Sequence, residues 1–268
     1  MTTSAPLLRI RVSVAPLLGE PRIASALTSE VPAGHVVQAI EPRGDWWEVT
    51  CEDGYRGWMH AGYVEPASGA ERDWPVTTGA RVRRADGHER ELPFGARVAP
   101  DTLVLAGTVY DADERAAQFP AERAAIARSA ERWFTGAPYR WGGVTPWGTD
   151  CSGFVQAILR LHGLHLPRDA WQQAEVGAPV DPESVRAADL LFFSDRDDRR
   201  VTHVAMALGD GRFVHSALGR GGVRVERWHD DAAYVARLRA QCTGARVLPE
   251  LASSGGGREQ PGLEMSGS

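Results

Sequence analysis

A cysteine at the start of a helix pattern is the residue of this sequence with the clearest chemical potential. Cys151 follows Asp150, and apolar residues then recur at helical spacing over 154–161, until Gly163 permits a left-handed end. Thr149 or Asp150 can cap the helix. A helix N-terminus carries partial positive charge and free N–H groups, so it favours a thiolate over a thiol. The pattern predicts a nucleophilic cysteine rather than one that only packs.

Two histidines further along the chain can supply the base that such a cysteine needs. His203 and His215 lie in consecutive apolar segments on either side of the tight turn Gly209-Asp210-Gly211. Segments that flank such a turn pair as a hairpin, so the histidines can be cross-strand neighbours. We expect His203 to take the proton of Cys151 and His215 to fix the tautomer of His203. Backbone N–H groups at the start of the helix can then stabilise an oxyanion.

A metal site is the alternative use of the same side chains. Cys151, His203 and His215 can ligate zinc, with Asp150 or a water as the fourth ligand. Structural zinc sites usually draw their ligands from close pairs, such as cysteines roughly two to four residues apart, and the sequence has no such pair. We therefore expect no metal and no other cofactor.

The composition is that of an ordinary soluble protein. The chain has 268 residues, of which 43% are hydrophobic and 24% charged, and its formal net charge is −5. Basic residues are scattered, which argues against nucleic acid or an anionic membrane as a partner. No apolar run can span a bilayer, and Leu7-Leu8-Arg9-Ile10-Arg11 interrupts the apolar core of a secretory signal. The three cysteines are an odd and sparse set, so we expect free thiols and a cytoplasmic location.

Short segments that alternate apolar with polar residues occupy the first part of the chain. They lie at 8–14, 36–40 and 47–51, and Glu52-Asp53-Gly54 offers a hairpin turn after the third. Strands at this spacing predict a small β-barrel. The predicted organisation is a barrel over 1–66, a linker over 67–75, a possible second small β module over 76–118, a larger domain over 119–248 and a disordered Ser/Gly-rich tail over 249–268.

Helix and strand patterns mix in the second half of the chain. A helix is predicted over 121–134, after Pro120, and the Cys151 helix follows it. Strands are then predicted at 189–193, 202–208, 212–216 and 234–238. An antiparallel sheet packed on these helices makes the fold class α+β.

Several stretches of the second half resemble the NlpC-type cysteine peptidases of bacterial cell-wall peptides. They are 138–143, 149–156, 166–169, 188–193, and 202–205 followed by His215. The resemblance covers about residues 120–245, and its specificity comes from several motifs in the right order. Within that group the chain is most similar to γ-D-glutamyl-L-diamino acid endopeptidases, which carry N-terminal bacterial SH3-like domains.

This resemblance implies a papain-like α+β catalytic domain preceded by one or two small SH3-like β-barrels. The implied activity is hydrolysis of the bond after γ-D-glutamate in peptidoglycan stem peptides with a free N-terminal L-alanine. The implied partner is therefore a peptide of the form L-Ala-γ-D-Glu-L-diamino acid, and the implied role is the recycling of wall peptides in the cytoplasm.

The resemblance also implies roles for individual residues. It makes Cys151 the nucleophile, His203 the base and His215 the orienting residue. Substrate contacts are implied for Tyr139 beside the thiolate, Asp150 and Ser152 along the cleft, Asp169 at the substrate ammonium and, by position in the first barrel, Glu20 and Tyr55. A buried ammonium needs carboxylates around it, which Asp169 and Glu20 can supply.

Two other hypotheses stay open at this point. An endopeptidase that acts on intact peptidoglycan needs an export route, and the sequence offers no signal for one. A non-catalytic protein that binds wall peptides is expected to lack one of the three catalytic side chains, and all are present. Ala170 departs from the family pattern, since relatives often carry a substrate-binding serine there. The third substrate residue, L-lysine or a diaminopimelate, also stays open.

Overall fold

Seven short strands of the N-terminal quarter form one antiparallel sheet around an apolar cluster. The computed structural model describes residues 6–252. Its first strands are β1 (Leu7–Ile10), β2 (Val14–Leu18), β3 (Leu27–Pro32), β4 (Val36–Arg43), β5 (Trp46–Thr50), β6 (Arg56–His60) and β7 (Val64–Pro66). Hydrogen-bonded neighbours follow the order β3-β2-β6-β5-β4-β1-β7. Alternate residues such as Ile10, Leu17 and Met59 bury their side chains in the cluster, as period-two strands require. We call residues 7–66 the N-terminal β-domain.

The predicted strand over 8–14 is two strands in the structure. β1 pairs with β4 and β7, whereas β2 pairs with β3 and β6. The chain must bend between Ile10 and Val14 to change partners, and an alternating sequence does not reveal such a change. The predicted hairpin turn after β5 is confirmed, with Gly54 in the left-handed region at φ 82°.

The middle segment forms a three-stranded sheet of β8 (Val76–Arg83), β9 (Glu89–Leu92) and β10 (Leu103–Tyr110), in the order β10-β8-β9. Its small apolar cluster includes Ala33 of the N-terminal β-domain. Polar contacts join the same two parts, because the Arg97 guanidinium donates to both carboxylate oxygens of Glu52, at 2.5 and 3.0 Å. The segment therefore packs as an extension of the N-terminal β-domain. A helix that the sequence analysis missed, α1 (Ala112–Gln118), follows it.

The C-terminal half has helices on both faces of a six-stranded antiparallel sheet. Its elements are α2 (Arg123–Trp133), β11 (Val144–Thr145), β12 (Gly148–Thr149), α3 (Cys151–Leu161), α4 (Ala170–Gln173), β13 (Ala178–Val180), β14 (Leu190–Phe193), β15 (His203–Gly209), β16 (Arg212–Ala217), β17 (Gly222–Arg227), α5 (Ala233–Ala240), β18 (Cys242–Val247) and α6 (Pro249–Ala252). The sheet order is β13-β18-β14-β15-β16-β17. Val204 and Met206 pack towards α2 and α3, whereas Ala205 packs towards α5. The predicted α+β class is confirmed. Among residues 6–252, no helix combines the length and apolar character needed to cross a bilayer.

Two sequence-based predictions are wrong in this half. The segment 234–238 is part of helix α5 rather than a strand, because Val235 and Leu238 are three residues apart and both bury against the sheet. A short apolar run does not by itself distinguish a buried helix from a strand. The predicted disordered tail starts too early, since residues 249–252 form α6 and Leu251 is fully buried. The rest of that predicted tail lies outside the described residues.

Candidate active site

Cys151 is the first residue of helix α3, and Asp150 caps that helix. The backbone N–H of Gly153 donates to Asp150 Oδ1 at 2.7 Å, and this N–H group has no acceptor within the helix itself. Gly153 also lets α3 approach the preceding loop, because a Cβ at this position would collide with the carbonyl oxygen of Gly143. These contacts fix the start of the helix, and with it the cysteine, against the loop.

A buried ion pair supports the same helix end. The Arg168 guanidinium donates to Asp150 Oδ1 at 3.0 Å and to Oδ2 at 2.6 Å. It also donates to Ser152 Oγ at 2.9 Å and, from Nε, to Ser29 Oγ at 2.9 Å. Ser29 lies on β3 of the N-terminal β-domain. Arg168 therefore connects the cap of the cysteine helix to the other domain, and its charge offsets that of Asp150 beside the thiol.

The environment of Cys151 favours a thiol in the resting protein. Burial raises the pKa of Cys151 to about 12, and the neighbouring charge of Asp150 adds to the increase. The backbone N–H of Val204, the Arg168 charge and the N–H of Ser152 act in the opposite direction but do not compensate. The N–H of Ser152 at the helix N-terminus lowers the pKa in the expected direction, but desolvation outweighs this contribution. A nearby base is needed to remove the proton.

His203 and His215 form a contact pair next to the cysteine. Nε2 of His203 lies 2.8 Å from Nδ1 of His215. The pairing of Met206 with Val214 places the two histidines diagonally across β15 and β16 rather than directly opposite. Burial lowers the pKa of His203 to about 4, and burial together with the proximity of His203 lowers that of His215. Both rings are therefore neutral near pH 7, and a neutral imidazole can accept a proton.

One cleft brings together most of the residues that the sequence analysis singled out. It has a volume of about 880 Å³, and Trp141, exposed over 67% of its surface, lies on its wall. Seven of the nine predicted site residues line the cleft: Tyr55, Tyr139, Asp150, Cys151, Ser152, Asp169 and His203. His215 is fully buried and contacts His203. Ala170, which replaces the serine of relatives, also lines the cleft and offers no hydroxyl.

The N-terminal β-domain contributes Thr28 and Tyr55 to the wall of the cleft. The Tyr55 hydroxyl donates to Asp169 Oδ1 at 3.3 Å, across the boundary between the two domains. Burial raises the pKa of Tyr55 to about 12, and the Asp169 charge adds to the effect. Burial also raises the pKa of Tyr139, with a further contribution from Cys151, which places Tyr139 beside the thiol. Tyr139 and Asp169 therefore lie on the walls around the nucleophilic atom.

The structure does not place Glu20 in the cleft, where the sequence analysis expected it. Its carboxylate pairs with Arg22 at 2.6 Å on the surface, where the Glu20 side chain is 60% exposed, and it does not line the cleft. It lies two residues after the end of β2, and its side chain is largely exposed to solvent. The acid of this domain that lies near the site is Glu30 on β3, buried and 2.9 Å from Arg140. Burial raises the pKa of Glu30, and Arg140 lowers it in part.

Sequence reasoning also missed Ser29 and Arg168. The polar residues of β3 do not differ in type from those of an exposed strand, so no local signal distinguished them. Arg168 precedes Asp169 in a stretch that resembles the family, and this position was the signal that could have identified it as a site residue. Among the described residues, no group of three His, Cys, Asp or Glu side chains is arranged to hold a metal ion.

Comparisons with known proteins agree with this geometry. The sequence matches the NlpC/P60 family over residues 136–240 and the bacterial SH3 domain over 13–65. It is 29% identical over 238 residues to the γ-D-glutamyl-L-lysine dipeptidyl-peptidase of Bacillus cereus (strain ATCC 10987 / NRS 248), a match that covers 75% of this chain and 71% of that protein. It is 38% identical over 138 residues to the probable endopeptidase NlpC of Escherichia coli K12, a match that covers 51% of this chain and 77% of that one.

The overall fold matches as well. A crystal structure of an NlpC/P60 family protein from Bacillus cereus ATCC 10987 aligns with a TM-score of 0.73 at 22% identity, and the alignment covers 90% of this chain and 99% of that one. These findings confirm the predicted resemblance and the predicted arrangement of an SH3-like β-domain before a catalytic domain. The chain belongs to the NlpC/P60 family of cysteine peptidases and carries a bacterial SH3 domain in its N-terminal part.

Proposed function

We propose that the protein hydrolyses the γ-D-glutamyl–L-diamino acid bond of peptidoglycan stem peptides that carry a free N-terminal L-alanine. The observation that carries the proposal is the hydrogen bond between Tyr55 and Asp169, which places a residue of the N-terminal β-domain on the cleft wall beside an acid. We propose that this wall limits the substrate to a short segment before the scissile bond, and Asp169 offers a carboxylate for an ammonium group there. The name of the Bacillus cereus relative, a γ-D-glutamyl-L-lysine dipeptidyl-peptidase, agrees with this substrate class.

Cys151 attacks the γ-carbonyl carbon of D-glutamate in the proposed mechanism. His203 takes the thiol proton, the sulfur forms a bond to the carbonyl carbon, and a tetrahedral oxyanion results. As the oxyanion collapses, the C–N bond breaks and His203 gives its proton to the leaving amine. A water, deprotonated by His203, then hydrolyses the thioester and releases L-Ala-D-Glu with a free γ-carboxylate. His203 returns the proton to the sulfur.

The contact between the two histidines is compatible with the tautomer that this mechanism needs. If Nε2 of His203 carries hydrogen and donates to Nδ1 of His215, then Nδ1 of His203 is free to accept the thiol proton. His215 would then stabilise the positive charge that His203 gains, the role that a carboxylate has in serine peptidases. His215 is thus proposed as an orienting residue that does not touch the substrate.

Two groups are proposed to bind the oxyanion. The backbone N–H groups at the start of α3 point out of the helix without intrahelical partners, and a developing anion is favoured there. The Tyr139 hydroxyl is the second donor, because burial and the neighbouring sulfur keep it protonated by raising its pKa. Asp150 and Ser152 are proposed to act through position, since Arg168 already occupies their polar atoms.

We further propose that the protein acts in the recycling of wall peptides in the cytoplasm. The three cysteines are all free, which is typical of a reducing compartment. Digestion of intact peptidoglycan is the alternative, and it requires an open cleft on both sides of the scissile bond. The contact between Tyr55 and Asp169 argues against that substrate.

The test compares L-Ala-γ-D-Glu-L-Lys with the same peptide acetylated at its N-terminus. We expect the wild-type protein to cleave the free peptide and to cleave the acetylated one at least about tenfold less well, because Asp169 would lose its ionic partner. Asp169→Asn should reduce that preference, and Asp181→Asn, an exposed acid outside the cleft, should leave it unchanged. Equal cleavage of both peptides would refute the ammonium site. No cleavage of either this peptide or its diaminopimelate counterpart would refute the proposed activity.

A further inference from the structure

Another part of the cleft wall lies next to His203 in the chain and in the lining of the cleft. It comes from the segment after β14 and from α5, and includes Asp195, Arg237 and Gln241. Ser194 N–H donates to the backbone oxygen of Gln241 at 2.9 Å, which holds these two elements together. The Thr202 hydroxyl donates to Asp195 Oδ1 at 2.8 Å, directly before His203 in the chain. We call the surface formed by Asp195, Arg237 and Gln241 the distal subsite.

The distal subsite presents two opposite charges that form no salt bridge in the described part of the chain, although the Asp195 charge does act on the neighbouring Arg196. Within residues 6–252, neither Asp195 nor Arg237 forms an ion pair, and both are exposed. Arg237 lies above the Tyr234 ring, with Cζ 5.5 Å from the ring centroid. Arg196, which also lines the cleft, differs because it donates to both oxygens of Asp198, at 2.9 and 2.8 Å. One acid and one base therefore remain available to a ligand.

The direction of the substrate follows from the proposed function, on which this inference rests. If Asp169 binds the substrate ammonium and Cys151 attacks the γ-glutamyl carbonyl, the residue after the scissile bond must extend towards His203 and beyond. Asp195 accepts a hydrogen bond from Thr202, the residue before His203, so the distal subsite lies within reach of a residue that extends past His203. A diamino acid at this position carries an ammonium on its side chain. A carboxylate comes from one of two sources, the C-terminus of a tripeptide or the side chain of a diaminopimelate.

We propose that the distal subsite selects a leaving residue that carries both an ammonium and a carboxylate, with Asp195 binding the ammonium and Arg237 the carboxylate. An arginine can donate two parallel hydrogen bonds to a carboxylate, which gives direction as well as charge. The Tyr234 ring contacts the Arg237 guanidinium through its face, and both residues line the cleft. The subsite would thus distinguish leaving residues that the rest of the cleft accepts equally.

The test uses four peptides that begin with L-Ala-γ-D-Glu and differ in the third residue. These are L-lysine as the free acid, L-lysine as the C-terminal amide, L-norleucine as the free acid, and meso-diaminopimelate with its α-carboxyl as the amide. Norleucine lacks the ammonium, and the two amides differ only in the side-chain carboxylate. Initial rates give kcat/KM for the wild-type protein, Arg237→Gln and Asp195→Asn. Arg227→Gln and Asp231→Asn serve as matched controls, because both residues are exposed and outside the cleft.

The wild-type protein is expected to prefer lysine over norleucine by about twofold to fivefold, the range for exposed ionic contacts. It is expected to prefer one of the two carboxylate-bearing peptides over its amide counterpart by a similar factor. Arg237→Gln should remove the carboxylate preference alone, and Asp195→Asn the ammonium preference alone. If lysine acid exceeds lysine amide, the carboxylate is the C-terminus; if the diaminopimelate peptide exceeds lysine amide, it is the side chain.

Two results would overturn the subsite. One is the absence of all these preferences in a wild-type protein that cleaves the peptides. The other is the persistence of the preferences in both variants. Cleavage of none of the four peptides by the wild-type protein would instead refute the proposed function, so the two failures are distinguishable.

Discussion

The guanidinium of Arg168 and the carboxylate of Asp150 form a two-point ion pair beneath the cysteine helix, with distances of 3.0 and 2.6 Å. Arg168 is only 2% exposed, so this charge is held in the interior at a considerable desolvation cost. The pair joins three parts of the site, because Arg168 also bonds Ser152 of α3 and Ser29 of the N-terminal β-domain. The position of Cys151 thus depends on a contact between domains.

Replacing Arg168 by Met should destabilise the protein by about 3–5 kcal/mol, because Asp150 would remain as a buried, unpaired charge. The double variant Asp150→Asn/Arg168→Met should recover at least half of this loss, since it removes both charges. Urea denaturation of the wild-type protein, the two single variants and the double variant measures the coupling. If the loss of stability in the double variant equals the sum of the losses in the two single variants, the two residues do not form a direct pair.

Replacing Cys151 by Ala should abolish hydrolysis of the stem peptide and leave the fold intact. Cys151 packs in the core next to a cleft, so loss of the sulfur should lower the free energy of unfolding by about 1 kcal/mol. Peptide hydrolysis and thermal unfolding by circular dichroism provide the two measurements. Cys51→Ala and Cys242→Ala are the controls, because both thiols lie outside the cleft, and both variants should stay active. Activity in Cys151→Ala would exclude Cys151 as the nucleophile.

The free energy of unfolding should fall as the pH decreases from about 6.5 to 4, partly because of His203. An unfolded histidine takes up its proton near pH 6.5, whereas burial lowers the pKa of folded His203 to about 4. Between these values the unfolded state binds more protons, so acid favours unfolding. His203 alone should contribute about 2–3 kcal/mol of this loss at pH 4.5.

Urea denaturation at pH 7 and pH 4.5 tests that dependence. His203→Gln should lose less stability between the two pH values than the wild-type protein, and the exposed His165→Gln should behave like the wild-type protein. An equal loss in His203→Gln and the wild-type protein would mean that His203 titrates normally in the folded state.

Replacing Gly153 by Ala should destabilise the protein by about 2 kcal/mol and reduce activity, because the new methyl group would meet the Gly143 carbonyl oxygen. Either α3 or the loop must shift, and Cys151 lies two residues from the collision. Gly219→Ala is the matched control, since its nearest neighbour, in the Tyr234 ring, lies at an ordinary distance of 3.6 Å. Thermal unfolding and peptide hydrolysis should separate the two variants. If Gly153→Ala is as stable and as active as Gly219→Ala, the loop that carries Gly143 can move away from the new methyl group at little energetic cost.

The sequence predicted the chemistry of the site because its signals are local. The cysteine at a helix start and the histidines on either side of a Gly-Asp-Gly turn depend on residues close together in the chain. The structure places Cys151 at the first position of α3 and the two histidine rings in contact. Capping and hairpin formation follow from short-range sterics and hydrogen bonds, so a single sequence contains them.

Only the tertiary structure decided which distant polar residues meet. Glu20 and Glu30 are both acids of the N-terminal β-domain, yet one is exposed and paired with Arg22, and the other is buried near the catalytic domain. The pKa of Cys151 is likewise set by burial and by Asp150 rather than by its helix position alone. Desolvation and contacts between domains depend on how separate segments pack, and the sequence of any one segment carries no record of its distant neighbours.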